Sequence, residues 1–400
     1  MKIGILTFHS QLNYGGVLQA YALQTALTQL GHHVVIIDRW IDPKNTALNG
    51  VYQSFSLKRW IGFVLRGILG CGTFGRFVRH QRTRQFVRNH LQLSSYHFYE
   101  WKDMVGRDLG VDCVVVGSDQ VWHCGDWGDP LPYLLKDAPI GARVISYAAS
   151  FGMSKIPSAF VSEFQHGLNK FSAISVREKE GVGIIQSLGF SATHVVDPTQ
   201  LLDPGSGWQF VKKEACFQSK KSLFCYFLSE NTEASLDVLE RFARENKVRV
   251  NVYVDRCVLS FPKSVKQLTV RVLWLLSLRY RRVKIHVSAG PKEFLSGLNN
   301  ATWVISDSFH ALMFSSIFKK NVRILKPEQR TRIKMFARIE EFVQTNVNQG
   351  NLIASNLQEA LQSLIHDTPI QFNEEAMKQV RQDSLQWLTK TLSKVTFDNP

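Results

Sequence analysis

Residues 303–318 read WVISDSFHALMFSSIF. An apolar run stops at the polar turn Ser306-Asp307-Ser308, His310 follows two residues later, and an apolar stretch then continues to Phe318. The pattern describes a strand ending in a helix start, with an imidazole at the junction. Asp307 or Ser308 stands where a helix-capping side chain belongs. Open α/β sheets hold their ligands outside the carboxyl ends of the strands. A helix start there offers unpaired N–H groups and a positive dipole end to an anion. His310 can act at such a place as an acid or base, or it can be a structural side chain.

The same rhythm runs through the rest of the chain. Lys2 to Phe8 (KIGILTF) reads as a strand, His9 to Gly16 as a polar loop, and Val17 to Leu30 as a helix stopped by Gly31. Val34 to Asp38 (VVIID) is a second strand, so the chain opens as a doubly wound sheet does. Val111 to Val116, Val144 to Ala149, Ala173 to Val176 and His194 to Val196 read as further strands. Asp203 to Gly207 (DPGSG) has linker composition. A second alternating series then begins: strand Leu223 to Leu228, helix Glu233 to Glu245, strand Arg249 to Val254, strand Lys284 to Val287, helix Lys292 to Asn299, and the opening segment. Helical stretches near 355–366 and 373–394 finish it. The expected architecture is α/β, with Rossmann-like domains over 1–203 and 204–345 and a C-terminal helical extension over 346–400.

Two stretches depart from this rhythm. Residues 55–93 interleave Lys58, Arg59, Arg66, Arg76, Arg79, Arg82, Arg84 and Arg88 with aromatic and aliphatic side chains, and form a basic helical insertion at about 50–95. Val265 to Arg282 is also basic and apolar. Such segments can lie on an anionic membrane face, or can be helices with a solvated basic side. The 400 residues carry 48 Lys+Arg against 33 Asp+Glu, a net charge of +15, which favours anionic partners. The arginines do not form a recognised nucleic-acid module, so no nucleic-acid partner is expected.

No apolar run reaches the roughly 18 residues of a spanning helix, and Ile3 to Leu6 is too short for a signal-peptide core. The six cysteines (71, 113, 124, 216, 225 and 257) include no Cys-x-x-Cys pair and no zinc spacing. A cytoplasmic protein without a metal is expected, with Cys113 and Cys225 as small core residues.

Five strand-end loops carry the candidate chemistry. Asn13, Gly15 and Gly16 precede a helix and could let an anion approach the backbone. They do not form G-x-G-x-x-G, which weakens any dinucleotide reading, including a ribose role for Asp38. Neither a phosphate-binding G-x-x-x-x-G-K-[ST] loop nor a G-x-S-x-G elbow occurs. Ser118 and Asp119 lie in a Gly-Ser-Asp loop, where Asp119 can hold a sugar hydroxyl, act as a base or simply make an Asx turn. Trp122 can stack on a sugar or fill the core. Arg177 can fork onto a carboxylate or phosphate, or pair with Glu178 or Glu180. Arg330 and Arg332, after the Lys326-Pro327 turn, are further anion clamps or a solvated helix start.

Together these segments resemble the polysaccharide pyruvyl transferase family. The resemblance rests on ILTFHSQLNYGGVLQAYALQ, VVVGSDQVW, ISYAASFG, AISVREKEGVGIIQSLG with VVDPTQLLD, and AGPKEFLSGLNNATWVISDSFHALMFSSIF, in family order from residue 3 to about 345. It implies two Rossmann-like domains facing a cleft, a GT-B-like fold. It also implies transfer of a pyruvyl group from phosphoenolpyruvate to two hydroxyls of a cell-surface saccharide or its lipid-linked precursor, with no cofactor. By resemblance His310 moves protons, Arg177 clamps the anion, and the work is done at the inner membrane face. Many family members read Arg-x-His at this turn. Ser308 replaces that arginine here, a form that also resembles a branch of the family, and Arg330 or Arg332 could stand in for it. The alternatives are a GT-B-like glycosyltransferase using a nucleotide sugar and a non-catalytic anion- or lipid-binding protein.

Overall fold

The computed structural model describes residues 1–10, 12–39, 73–98, 103–125, 129–135, 142–211, 221–228, 232–254, 281–327 and 330–397. The basic insertion before Thr73 and most of the second basic stretch, 255–280, lie outside the described residues. The chain divides into two compact units. The first is Met1–Asp42, Val87–Trp208 and Glu374–Pro400; the second is Pro43–Phe86 and Gln209–Asn373. The 346–400 segment, read from sequence as one extension, is thus shared between them.

In the first unit, strand β1 (Lys2–Leu6) leads through helix α1 (Tyr14–Gln29) to β2 (His33–Arg39). Helix α2 (Thr73–His90), which lies in the second unit up to Phe86, precedes β3 (Leu93–Phe98), and β4 (Cys113–Val116), β5 (Arg143–Ser146) and β6 (Phe171–Ala173) complete one parallel sheet. Its order is β3-β2-β1-β4-β5-β6. The winding reverses between β1 and β4, which opens a gap at their carboxyl ends. β1 and β4 are apolar on both faces because helices cover both sides of such a sheet. Gly31, at φ 88°, ends α1 in the left-handed conformation that glycine adopts without strain. Trp122 is fully buried, with ring centroids of Phe151, Phe164 and Phe171 at 5.3, 6.3 and 5.9 Å, so it is a core residue. Cys113 and Cys225 are likewise buried.

Two strands differ from the sequence reading. The apolar run at Ala173 to Val176 divides: after β6 it shifts to β7 (Ser175–Val176), which pairs with β8 (Thr193–His194) in a small separate sheet. Serine side chains cause the break. Ser146 Oγ donates to Ser175 O and accepts from Ser175 N, both at 3.0 Å, while Ser175 Oγ donates to Ser146 O at 2.8 Å. These bonds replace the backbone ladder. The sixth strand of the main sheet is instead β3, whose polar sequence LSSYHF conceals it.

The second unit repeats the topology. β9 (Ser222–Phe227), α6 (Thr232–Glu245), β10 (Arg249–Val254), β11 (Val283–His286), α7 (Pro291–Asn300), β12 (Trp303–Ser306), α8 (Phe309–Ile317), β13 (Asn321–Leu325) and β15 (Ile353–Ala354) build it. The sheet order is β11-β10-β9-β12-β13-β15, so β9 and β12 flank its reversal. Helix α2 lays two of its arginines here. Buried Arg79 donates to Val254 O at 2.6 Å, and Arg82 donates to Ser288 O at 3.0 Å. These two cations are therefore engaged by backbone carbonyls at the ends of β10 and β11.

Phe224, Tyr253 and His286 stack across β9, β10 and β11 with successive centroids 4.5 Å apart, and Phe294 of α7 meets Phe224 and Tyr253 edge-on. His286 Nε2 donates to Asn251 Oδ1 at 2.9 Å. Burial first, and Lys284 second, lower its pKa from 6.5 to about 4. Across that interval the unfolded chain binds a proton that the fold refuses. Stability from His286 is therefore complete above the ordinary histidine range and declines as pH falls toward 4, by at most ~3 kcal/mol. Chemical denaturation at pH 7 and pH 5 should show a smaller acid loss in His286→Phe than in wild type. Equal losses would remove His286 as the cause.

Candidate functional site

At the carboxyl end of the first sheet, Asn13 caps α1. Its Oδ1 accepts from Gly15 N at 2.9 Å and Gly16 N at 3.4 Å. The two N–H groups read as open to an anion are thus already met by the chain itself. Gly16 lies against Asp119, since a Cβ there would sit 3.1 Å from Asp119 Oδ2. Asp119 has φ 71° and its Oδ1 accepts from Gln120 N at 2.9 Å, so the Asx-type turn is real. A non-glycine residue in this conformation stores strain, a feature that clusters at functional sites. Ser118 is fully buried; its carbonyl accepts from Thr7 Oγ1 at 2.7 Å and its hydroxyl donates to Asp197 Oδ2 at 3.5 Å.

Arg177, at the end of β7, is buried among carboxylates. Its Nε donates to Glu178 Oε1 and its Nη1 to Asp197 Oδ2, each at 3.0 Å. Burial opposes its charge, but Glu178, Asp197 and Asp119 outweigh it and hold the arginine pKa above its ordinary value. Asp197 Oδ1 also accepts from Thr199 N and Oγ1, and Ser150 Oγ donates to Glu178 Oε1. One cation thus faces three carboxylates, an arrangement suited to hydrogen-bonding hydroxyls rather than to receiving a phosphate.

A third cluster at this edge is invisible to motif reading. Asp38, fully buried in β2, meets His9 Nε2 on Oδ1 at 2.9 Å, and His97 Nδ1 lies against its Oδ2 as an ion-pair contact. His9 follows β1 and His97 lies in β3, so three neighbouring strand ends meet at one carboxylate. The signal that finds it is register, with Asp38 opposite His97.

In the second unit, Ser308 is the N-cap of α8. Its side chain accepts from Ala311 N at 3.5 Å, and its own N–H donates to Ser306 Oγ at 3.1 Å. Asp307, the other capping candidate, accepts from Leu228 N at 2.7 Å and ties β12 to β9 across the reversal. His310 lies in the first turn of α8, 9% exposed, with the Phe309 ring at 5.7 Å. Helix α9 (Arg330–Asn346) follows β13, so Arg330 and Arg332 stand in its first turn, on the strand next to β12; their side chains lie outside the described residues. Arg338 of α9 covers the Phe309 ring at 4.7 Å. Among the described residues, no group of three or more His, Cys, Asp or Glu side chains is arranged for a metal ion, and no helix is long and apolar enough to cross a membrane.

Two six-stranded parallel sheets with one winding define a pair of Rossmann-like domains, the GT-B-like class. The chain belongs to the polysaccharide pyruvyl transferase family, whose model matches residues 13–328. Among solved structures it is similar to a putative UDP-N-acetylglucosamine 2-epimerase from Listeria monocytogenes, with 9% identity, 100% of this chain and 97% of that chain covered, and a TM-score of 0.52. It is also similar to S. aureus MnaA in a co-structure with UDP, at 12% identity, covering 100% and 98%, with a TM-score of 0.51. At such identities these likenesses speak for the fold alone. A comparison with curated proteins finds no match.

The two strand-end clusters should respond differently to truncation. Asp197→Ala leaves the buried Arg177 with one fewer carboxylate and should cost about 3–5 kcal/mol, whereas Ser308→Ala removes only a cap and should cost about 1 kcal/mol. Urea unfolding curves read both. Equal, small losses would contradict the ion-pair assignment.

Proposed function

We propose that this protein is a transferase that joins a pyruvyl group from phosphoenolpyruvate, as a ketal, to a saccharide of a cell-surface polysaccharide or its lipid-linked precursor. The observation that carries the reading is His310, set in the first turn of α8 directly beyond the reversal point of the second sheet, in a chain of this family. Phosphoenolpyruvate presents a phosphate, a carboxylate and an enol carbon that must be protonated as a hydroxyl adds. A histidine beside helix N-termini supplies the proton where the dipoles favour the anion. Arg330 and Arg332, at the start of α9, are the candidate cations for the donor, Ser308 being neutral. The carboxylate-rich end of the first sheet, with Asp119, Glu178 and Asp197, is the complementary chemistry for acceptor hydroxyls. The excess of 48 Lys+Arg over 33 Asp+Glu suits work at an anionic membrane face, where a lipid-linked acceptor would be held.

The test is incubation with phosphoenolpyruvate and a panel of nitrophenyl hexosides and polyprenyl-diphosphate-linked sugars, with phosphate release and the ketal followed by colorimetry and mass spectrometry. His310→Ala should lower kcat by ~10²–10⁴-fold while moving KM for phosphoenolpyruvate much less. Undiminished turnover in that variant would end the role assigned to His310. Ser308 favours one second reading, a glycosyltransferase with a nucleotide-sugar donor. Thermal stabilisation by UDP or GDP, with none by phosphoenolpyruvate, would select it.

A further inference from the structure

A histidine that moves protons serves only where its ring is held. In the first turn of a helix more than one staggered rotamer is open to an imidazole, and its neighbours decide among them. For His310 one such neighbour is Phe309. The two rings meet at 5.7 Å between centroids, with their planes at 77° to one another. An edge-to-face pair of this kind is directional, so the stance of the Phe309 ring steers the imidazole.

The placement of Phe309 therefore matters, and its surroundings are specific. It is the first residue of α8, just beyond the polar end of β12, yet it is only 7% exposed. One group that covers it is a cation: the guanidinium carbon of Arg338 lies 4.7 Å from the ring centroid. A guanidinium is planar and more weakly hydrated than an ammonium, so it can be laid on an aromatic face at small cost in lost hydration. Ser308 brings no charge to this turn, and Phe309 offers a face on which one is set.

Arg338 reaches the ring from a fixed base. β12 and β13 pair in parallel from Trp303↔Asn321 to Ser306↔Ile324, so α8 and α9, which follow them, are neighbours. Helix α9 buries Phe336, Ile339 and Phe342, at three-residue spacing along one face, and this fixes its rotation. Arg338 directly precedes Ile339 in that helix. Other arginines of the unit are committed elsewhere. Arg79 and Arg82 donate to the carbonyls of Val254 and Ser288, and Arg323 donates to Asn321 and Ser363. Arg338, Phe309 and His310 all belong to the second unit, so this line of contact is complete within one compact body.

We infer that Arg338 is a positioning residue for His310, acting through the Phe309 ring; the inference rests on the pyruvyl-transfer reading above. Arg338 holds the ring, the ring steers the imidazole, and the imidazole keeps one orientation at the start of α8. The cation touches no reacting atom in this assignment. Its loss therefore lowers the rate at which bound donor is used and leaves the binding of donor largely as it was.

The experiment uses full-length protein, phosphoenolpyruvate and the acceptor panel above. Arg338→Ala should lower kcat by ~10–100-fold, the scale of a misplaced reacting group, while KM for phosphoenolpyruvate stays within about threefold. Phe309→Leu should lose about as much. The double variant should lose no more than the larger single loss, since both changes break one line of contact. Arg338→Lys keeps the charge without the plane and should retain less than about a third of wild-type kcat. In protein labelled with 15N-histidine, the ring signals of His310 should move in Arg338→Ala while the melting temperature stays near that of wild type. An Arg338→Ala enzyme within about threefold of wild type in kcat overturns the inference. Losses that multiply in the double variant overturn it too. So does a loss carried wholly by KM, which would make Arg338 a donor ligand. If Arg338→Ala does not fold, Arg338→Lys decides: wild-type kcat there overturns the assignment, and a loss in kcat at unchanged KM upholds it. Wild-type protein inactive on phosphoenolpyruvate with every acceptor overturns the functional reading itself, an outcome distinct from an active wild type that is indifferent to Arg338.

Discussion

A parallel sheet wound outward in both directions from a central pair of strands must leave those strands by opposite routes. Each unit obeys this constraint, at β1/β4 and at β9/β12, and the rest of the molecule's chemistry follows from it. Chain departing in two directions leaves room beside the strand ends, and the next elements begin there. His9, Asn13, Ser118 and Asp119 stand at one such place, Asp307, Ser308 and His310 at the other. The bond from Leu228 N to Asp307 Oδ1 spans the second reversal and holds its two strand ends in register while α8 starts beside them.

The two places have opposite electrostatic character. In the first unit the buried arginine, Arg177, is engaged by Glu178 and Asp197 and sits near Asp119, and α1 is capped by its own Asn13. A buried arginine without those carboxylates would carry an uncompensated charge of several kcal/mol. The network is thus a structural necessity before it is anything else. In the second unit two helices begin on adjacent strands, and the cap of one is a neutral serine.

The sequence made the repeated α/β rhythm legible because strands covered on both faces are nearly continuous apolar runs. The junction at Ser308-Phe309-His310 was legible because polarity changes there abruptly. β3 was not, since LSSYHF is an edge strand with little apolar content. The division of the run from Ala173 to Val176 was hidden because it turns on reciprocal serine bonds to Ser146, a contact of residues 29 apart. Arg177 could be read as a clamp or as an ion pair from its neighbour Glu178; its second partner, Asp197, becomes visible only when β7 and β8 pair. The meeting of His9, Asp38 and His97 depends on strand order and on a bulge, neither of which local pattern contains.

The final helix α11 (Glu374–Phe397) belongs to the first unit. Arg381 donates to Gln200 O at 2.7 Å, Ser384 Oγ accepts from Val196 N at 3.1 Å, and the Trp387 ring lies 6.2 Å from that of Tyr147. These contacts clasp the segment that carries Asp197, so the first unit is assembled from the first and the last residues described. During synthesis its sheet emerges before the second unit's residues 209–373, yet this helix, which follows them, is needed to close over it. Folding domain by domain from the N-terminus is therefore denied to this chain. The surroundings of Arg177 and Asp197 are therefore completed only after residues 374–397 have been made.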